Sequence, residues 1–151
     1  MIYFDMDGTI ANLYGVTDWL NFLLRDEVYP YCAAQPLIDM VSFRNLLRLG
    51  RARGLTFGVI SWASKNASDE YIRAIRRAKI DWLNIYGLVP LLDEIHVVPY
   101  GTPKHAFSSS LDSILFDDEE RNIIDFIAHG MDAINVNQTS LIGALAQIIK
   151  G

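Results

Sequence analysis

Short apolar runs alternate along the chain with longer stretches in which apolar residues recur every three or four positions, the pattern of repeated strand–helix units. Ile2–Phe4 reads as a short strand cut off by Asp5-Met6-Asp7-Gly8-Thr9, a loop sequence. Thr17–Arg25 is predicted helical, with Trp19, Leu20, Leu23 and Leu24 on one side. The stretch from Tyr29-Pro30-Tyr31 to Gln35-Pro36 reads as a break, because proline and the residue before it resist the helix. A second helix is expected from about Leu37 to Ala52, apolar at Met40, Val41, Leu46, Leu47 and Leu49 and closed by Gly54. Leu55–Ser61 follows as a buried strand. Ser68 is the expected N-cap of a helix reaching Trp82 or Leu83, with Asp69 and Glu70 in its first turn. Strands at Glu94–Pro99, Ser113–Asp117 and Asp132–Val136, with helices at about Glu119–Ala128 and Thr139–Lys150, complete the series.

This order predicts an α/β fold: a three-layer, Rossmann-like arrangement with a central five-stranded parallel sheet, helices on both faces and right-handed crossovers. No repeat, low-complexity stretch or Gly/Ser/Pro-rich linker divides the chain, so residues 1–151 are expected to form one domain. Composition agrees, since 51% of the residues are apolar and a disordered chain would have far fewer. A net charge of −5 disfavours extended binding to nucleic-acid backbones but not to a small phosphorylated ligand. Cys32, the single cysteine, forms no internal disulfide, and a reducing, cytoplasmic setting is expected. Met1-Ile2-Tyr3-Phe4-Asp5 lacks the basic region of a signal peptide, and no apolar run approaches the roughly 20 residues of a membrane span.

In a parallel sheet, ligands sit beyond the carboxyl ends of the strands. The first strand ends in Asp5 and Asp7, the second in Ser61 and the fourth in Asp117-Asp118, while Lys104 lies in the loop after the third. Taken singly, Asp-x-Asp-Gly is a common turn, and Asp117-Asp118-Glu119-Glu120 suits a helix N-terminus. Brought to one edge they repel. Two unit charges about 4 Å apart interact by roughly 4 kcal/mol at an effective dielectric near 20. A cation is needed to hold such a cluster, and all-oxygen donors suit Mg²⁺. Screened in this way, a carboxylate can attack a phosphoryl group, and a second acid two residues on can protonate the leaving oxygen and then deprotonate water.

These residues resemble the haloacid dehalogenase-like (HAD) superfamily of aspartate-nucleophile phosphatases. The motifs Asp5-Met6-Asp7-Gly8-Thr9, Val59-Ile60-Ser61, Lys104 and Leu115-Phe116-Asp117-Asp118 fall in the family's order and cover nearly the whole chain. The resemblance implies that Asp5 is the nucleophile and Asp7 the general acid/base. Ser61 would hydrogen-bond the transferring phosphoryl group, and Lys104 would steady it and Asp5. Mg²⁺ would be held by Asp5, the Asp7 main-chain carbonyl and Asp117, with Asp118 close by or acting through water. Gly8, Thr9 and Trp62 would border the substrate, a small phosphomonoester such as a nucleotide. The stretches Ser61-Trp62-Ala63-Ser64-Lys65 and Tyr100-Gly101-Thr102-Pro103-Lys104 are similar to small uncharacterised bacterial and phage HAD hydrolases. Many relatives carry a separate cap domain. The segment between Thr9 and Phe57 is too short for one once its helices are placed, so residues 12–36 are expected to form at most a small lid.

Lys65 competes with Lys104 for the motif role, but Lys104 fits the family's placement after strand three. Tyr14, Trp19, Tyr29 and Tyr31 either overhang the site or pack against the sheet. Arg44, Arg48, Arg51 and Arg53 read as a solvated face, as do Arg73, Arg76, Arg77 and Lys79. His96 reads as structural, and the mechanism needs nothing from His105. From other classes, a phospho-accepting receiver domain would place its phosphorylated acid after strand three, where Val98-Pro99-Tyr100 has none. A non-catalytic HAD-like binding module stands as the other alternative. A P-loop is excluded, since Gly101-Thr102-Pro103-Lys104 lacks the upstream glycine and the following Ser or Thr.

Overall fold

Ile2 and Phe4 belong to one apolar layer and Tyr3 to another, the period-two alternation of a strand buried on both faces. The computed structural model describes residues 1–151. Its first half runs β1 (Ile2–Phe4), β2 (Ala11–Asn12), α1 (Trp19–Leu24), α2 (Tyr29–Ala33), β3 (Gln35–Pro36), α3 (Met40–Ala52) and β4 (Phe57–Trp62). Its second half runs α4 (Asp69–Ile85), β5 (Glu94–Val98), β6 (Ile114–Asp117), α5 (Glu120–Ala128), β7 (Asp132–Asn135) and α6 (Leu141–Lys150). Short 3-10 turns occupy Leu13–Gly15, Val89–Leu91 and Lys104–Phe107.

The central sheet has five parallel strands in the order β5-β4-β1-β6-β7. The α/β architecture read from the sequence is therefore the one observed. On one face Ile2, Phe4, Phe57 and Val59 pack with Phe43 and Leu47 of α3, Trp82 and Leu83 of α4, and Leu145 and Ile149 of α6. On the other, Tyr3, Ile60 and Leu115 pack with Phe126 of α5 and Met131. No helix is long and apolar enough to cross a membrane.

Local chemistry sets the element ends. α3 starts at Met40, later than expected, because the Asp39 carboxylate accepts from the main-chain N–H groups of Val41 and Ser42. Past its end, Gly54 takes φ +86°, and Leu55 N–H reaches back to Gly50 O, the paired closure of a Schellman motif. Ser68 caps α4 through Tyr71 N–H as predicted.

Two expectations fail in the lid region. Tyr29–Ala33 is helical rather than a break, because Pro30 falls in the first turn, where its missing N–H has no partner to lose. β2 and β3 pair antiparallel, Ala11 with Pro36 and Asn12 with Gln35, a two-residue match too short to show as a pattern. This clip closes the base of the segment holding α1 and α2. The apolar face of α1 packs only in part: Trp19 and Leu23 lie against the cluster of Leu13, Tyr31, Tyr71 and Ile75, while Leu20 and Leu24 are exposed. None of its six residues is buried.

Candidate active site

Register assembles the site. Phe4 pairs with both Val59 and Phe116, so one residue further Asp5 comes level with Asp117, and Asp5 N–H donates to Phe116 O. Lys104, on its 3-10 turn, bridges the two carboxylates, with Nζ 2.9 Å from Asp5 Oδ1 and 2.7 Å from Asp117 Oδ2. Asp117 is wholly buried and also accepts from Glu119 N–H and Asn122 Nδ2. Thr9 Oγ1 donates to Asp5 Oδ2 at 3.2 Å and lies 3.4 Å from Asp118 Oδ1. Asp5, Asp117 and Asp118 each present a carboxylate oxygen, all within 4.8 Å of one another. The acids of β1 and β6, and the lysine expected to join them, thus meet at one point. Lys65 lies exposed on the cavity wall and pairs with neither acid.

The Asp7 side chain turns away from this trio. Its Oδ2 lies 2.8 Å from Nζ of Lys79, an α4 residue only 1% exposed. Lys79 also donates to Ser61 Oγ at 2.5 Å and to Trp62 O at 2.9 Å, and it lies over the Tyr31 ring. Lys79 is the site residue that sequence reasoning missed. It reads as part of a basic run with Arg73, Arg76 and Arg77, which are indeed exposed. The signal was its phase: Lys79 shares the helix face of Tyr71, Ile75, Ala78 and Trp82, all buried.

Three of the residues expected to contact substrate lie off the cavity wall. Ser61 is wholly buried behind Asp7 and off the cavity wall, its hydroxyl engaged by Lys79. Thr9 is buried as well and braces carboxylates instead of facing a ligand. Gly8 lies off the wall too. It takes φ +82°, and a Cβ there would run into the Asp118 carboxylate, so glycine is what lets the loop approach β6. Trp62 does line the cavity, tilted against Tyr100 with ring centroids 4.9 Å apart.

The electrostatics follow from burial. Loss of water, and next the charge of Asp5, pushes Asp117 up to about 6 and Asp118 up to about 8. Burial also raises Asp7, against the pull of Lys79 and with the push of Asp5. Burial alone would lower Lys104, but the charges of Asp5 and Asp117 outweigh it and raise it. Four carboxylates face two ammoniums, an excess of negative charge that a proton on Asp118 or a divalent cation would relieve. No hydrogen bond of the chain ends on the Asp7 main-chain carbonyl oxygen, which leaves that atom free to ligate. The donor set is all oxygen, as a hard cation such as Mg²⁺ requires.

A second cluster supports the first. Asp125 of α5 accepts from His105 N–H at 2.9 Å and lies 2.8 Å from its Nδ1, while the His129 ring stacks on His105 at 3.4 Å. These contacts pin the turn that carries Lys104. The arginines of α3 and its C-terminal cap are less idle than a solvated face implies: Arg44, Arg51 and Arg53 donate to the main-chain carbonyls of Tyr86, Leu91 and Ile149.

Fold and site together define a three-layer α/β protein with an acid-and-lysine pocket at the carboxyl edge of its sheet. Neither a family model nor a curated protein matches the chain. A solved structure of an uncharacterized protein from Corynebacterium glutamicum ATCC 13032 Kitasato is similar along 99% of this chain and 92% of that one, at 15% identity and a TM-score of 0.48.

Proposed function

We propose that the chain is a Mg²⁺-dependent phosphatase of the HAD-like kind, hydrolysing a small phosphomonoester through an aspartyl-phosphate. The observation that carries this reading is the bridge of Lys104 between Asp5 and Asp117, with Asp118 beside them and Asp7 two residues from Asp5.

In this reading an Asp5 oxygen attacks phosphorus as the bond to the leaving oxygen breaks. Asp7 gives that oxygen a proton, and an alcohol departs. Burial favours the protonated form of Asp7 that this step needs. Water then attacks the phosphorus and yields its proton to Asp7; the bond to Asp5 breaks and inorganic phosphate is released. Lys104 holds Asp5 in place and offsets charge on the phosphoryl oxygens. Lys79 holds Asp7, and Ser61 accepts from the same ammonium, a departure from the phosphoryl contact that the resemblance implies for Ser61. Mg²⁺ held by Asp5, Asp117, Asp118 and the Asp7 carbonyl would supply Lewis-acid neutralisation of the phosphoryl charge. A reducing cytoplasm suits Cys32, which is exposed and unpaired.

The test is Asp5→Asn assayed for phosphate release from an aryl phosphate, with Mg²⁺ and with a chelator. The wild type should turn over only with the metal and the variant not at all. Unchanged turnover in the variant would remove Asp5 as nucleophile and the reading with it.

A further inference from the structure

We propose that the phosphomonoester taken by this pocket carries an apolar leaving group, gripped between the leucines of α1 and the Trp62–Tyr100 wall; this rests on the phosphatase reading. The carboxylates and Lys104 form the floor of a cavity of about 370 Å³. That is near the small end of the roughly 300–1,000 Å³ typical of ligand sites, enough for a phosphoryl group and one ring or a short chain. Trp19, Leu20, Leu23 and Leu24 of α1 all line it.

Two of these leucines stay largely open to solvent. Leu20 is 51% and Leu24 73% exposed, while Trp19 and Leu23 of the same helix pack against the buried cluster of Leu13, Tyr31 and Ile75. Spaced i, i+3, i+4, Leu20, Leu23 and Leu24 form one stripe, and that stripe turns to the cavity mouth above the acids. Opposite it, the Arg121 guanidinium lies 4.6 Å from the Trp62 ring and 5.7 Å from that of Tyr100, setting both rings in place before any ligand arrives.

The free polar groups of the cavity belong to Lys65, Asn66, Glu119 and the hydroxyls of Tyr14 and Tyr100; the leucine and Trp62 parts of the wall have none to offer. Trp62 Nε1 donates to Thr102 O at 2.8 Å, and the Tyr31 hydroxyl is paired with Ser64 Oγ at 2.6 Å. Ala63 and the leucines offer none. Against the leucines, Ala63 and Trp62, a sugar leaving group would trade water for apolar surface at each hydroxyl, with no partner there to offset the loss. An alkyl or aryl group would instead cover the stripe. Recognition therefore divides: the floor selects the phosphoryl group, and the leucine and Trp62 parts of the wall select by apolar area.

The experiment measures kcat/KM, with Mg²⁺, for straight-chain alkyl phosphates from ethyl to octyl, for phenyl phosphate, and for hexose and pentose phosphates. Each added methylene should raise kcat/KM by about fourfold until the cavity is filled, the ratio expected for burying one methylene, and phenyl phosphate should exceed the sugar phosphates by about a hundredfold. The double variant Leu20→Ser/Leu24→Ser should flatten the series while inhibition by inorganic phosphate stays within about twofold. Leu20→Met/Leu24→Met should keep the slope, so that a folding defect is told apart from a lost contact. A series with no dependence on chain length, or one led by a sugar phosphate, overturns the proposal while leaving the phosphatase reading intact. Turnover of none of these esters overturns that reading, and this proposal falls with it. Should the wild type sediment as a dimer that the serine variant dissociates, with the chain-length series unmoved, the stripe belongs to a second copy of the chain and the proposal is wrong.

Discussion

Lys79 reaches Asp7 from the helix layer beneath the pocket, its ammonium 2.8 Å from Oδ2, and the same ammonium engages the Ser61 hydroxyl. Asp7 follows β1 and Ser61 lies near the carboxyl end of β4, so one α4 side chain ties the ends of these two strands together. Removing one member of a buried pair leaves the other charge stranded.

Lys79→Met should therefore cost about 3 kcal/mol, the low end for a broken buried pair because Asp7 borders a cavity that water can enter. Chemical denaturation measures it. The pH profile separates a positioning role from a structural one. Lys79 pulls the Asp7 pKa down against burial, so its loss should raise it. A general acid works while protonated, so the limb on which kcat/KM falls with rising pH should move to higher pH in the variant. A limb that stays in place would show that Lys79 does not set Asp7.

What the sequence revealed and concealed follows from the range of each signal. Period-two and period-3.6 patterns report burial, so the five strands and the main helices were legible, and with parallel strands the acids of β1 and β6 had to share an edge. Lys79 was hidden because a charge within a basic run looks solvated, although its phase with Ile75 and Trp82 marked the buried face. The Ser61 contact was hidden because no pattern encodes which partner a buried hydroxyl takes. α2 stays hidden because a proline signals a break unless its place in the first turn of a helix is known.

The raised acids make stability depend on pH in an unusual direction. Asp117 at about 6 and Asp118 at about 8 lie above the ordinary aspartate value because burial and the charge of Asp5 disfavour ionisation. A carboxyl whose folded pKa is raised adds stability below its unfolded pKa and loses it as pH climbs through the folded one. The metal-free protein should thus lose Tm between about pH 5 and pH 9. Mg²⁺ should restore more at pH 8.5 than at pH 5.5, since it replaces protons on the same oxygens. Thermal unfolding with chelator and with Mg²⁺ tests both; a metal-free Tm that rises over this range contradicts the clustering of the acids.

Asp125 holds the Lys104 turn by accepting from the His105 main chain and facing its ring. Asp125→Ala removes both contacts, and the ordinary worth of such bonds predicts a loss of about 1–3 kcal/mol. Freed from α5, Lys104 should no longer be held at Asp5, so kcat should fall more than KM changes. A stability loss with kcat intact would make the cluster purely structural.

Two glycines with nearly the same backbone angle separate strain from the site. Gly54 has φ +86° with nothing within 4 Å of a Cβ, whereas a Cβ on Gly8, at φ +82°, meets the Asp118 carboxylate. Gly54→Ala should lose only the cost of a left-handed backbone, about 1–2 kcal/mol. Gly8→Ala should lose at least as much and also displace Asp118 from Asp5 and Asp117. Calorimetric titration with Mg²⁺ should then show weakened binding in Gly8→Ala and wild-type affinity in Gly54→Ala. Equal affinity in the two variants would mean that Asp118 contributes nothing to holding the cation, leaving Asp5, Asp117 and the Asp7 carbonyl as its protein ligands.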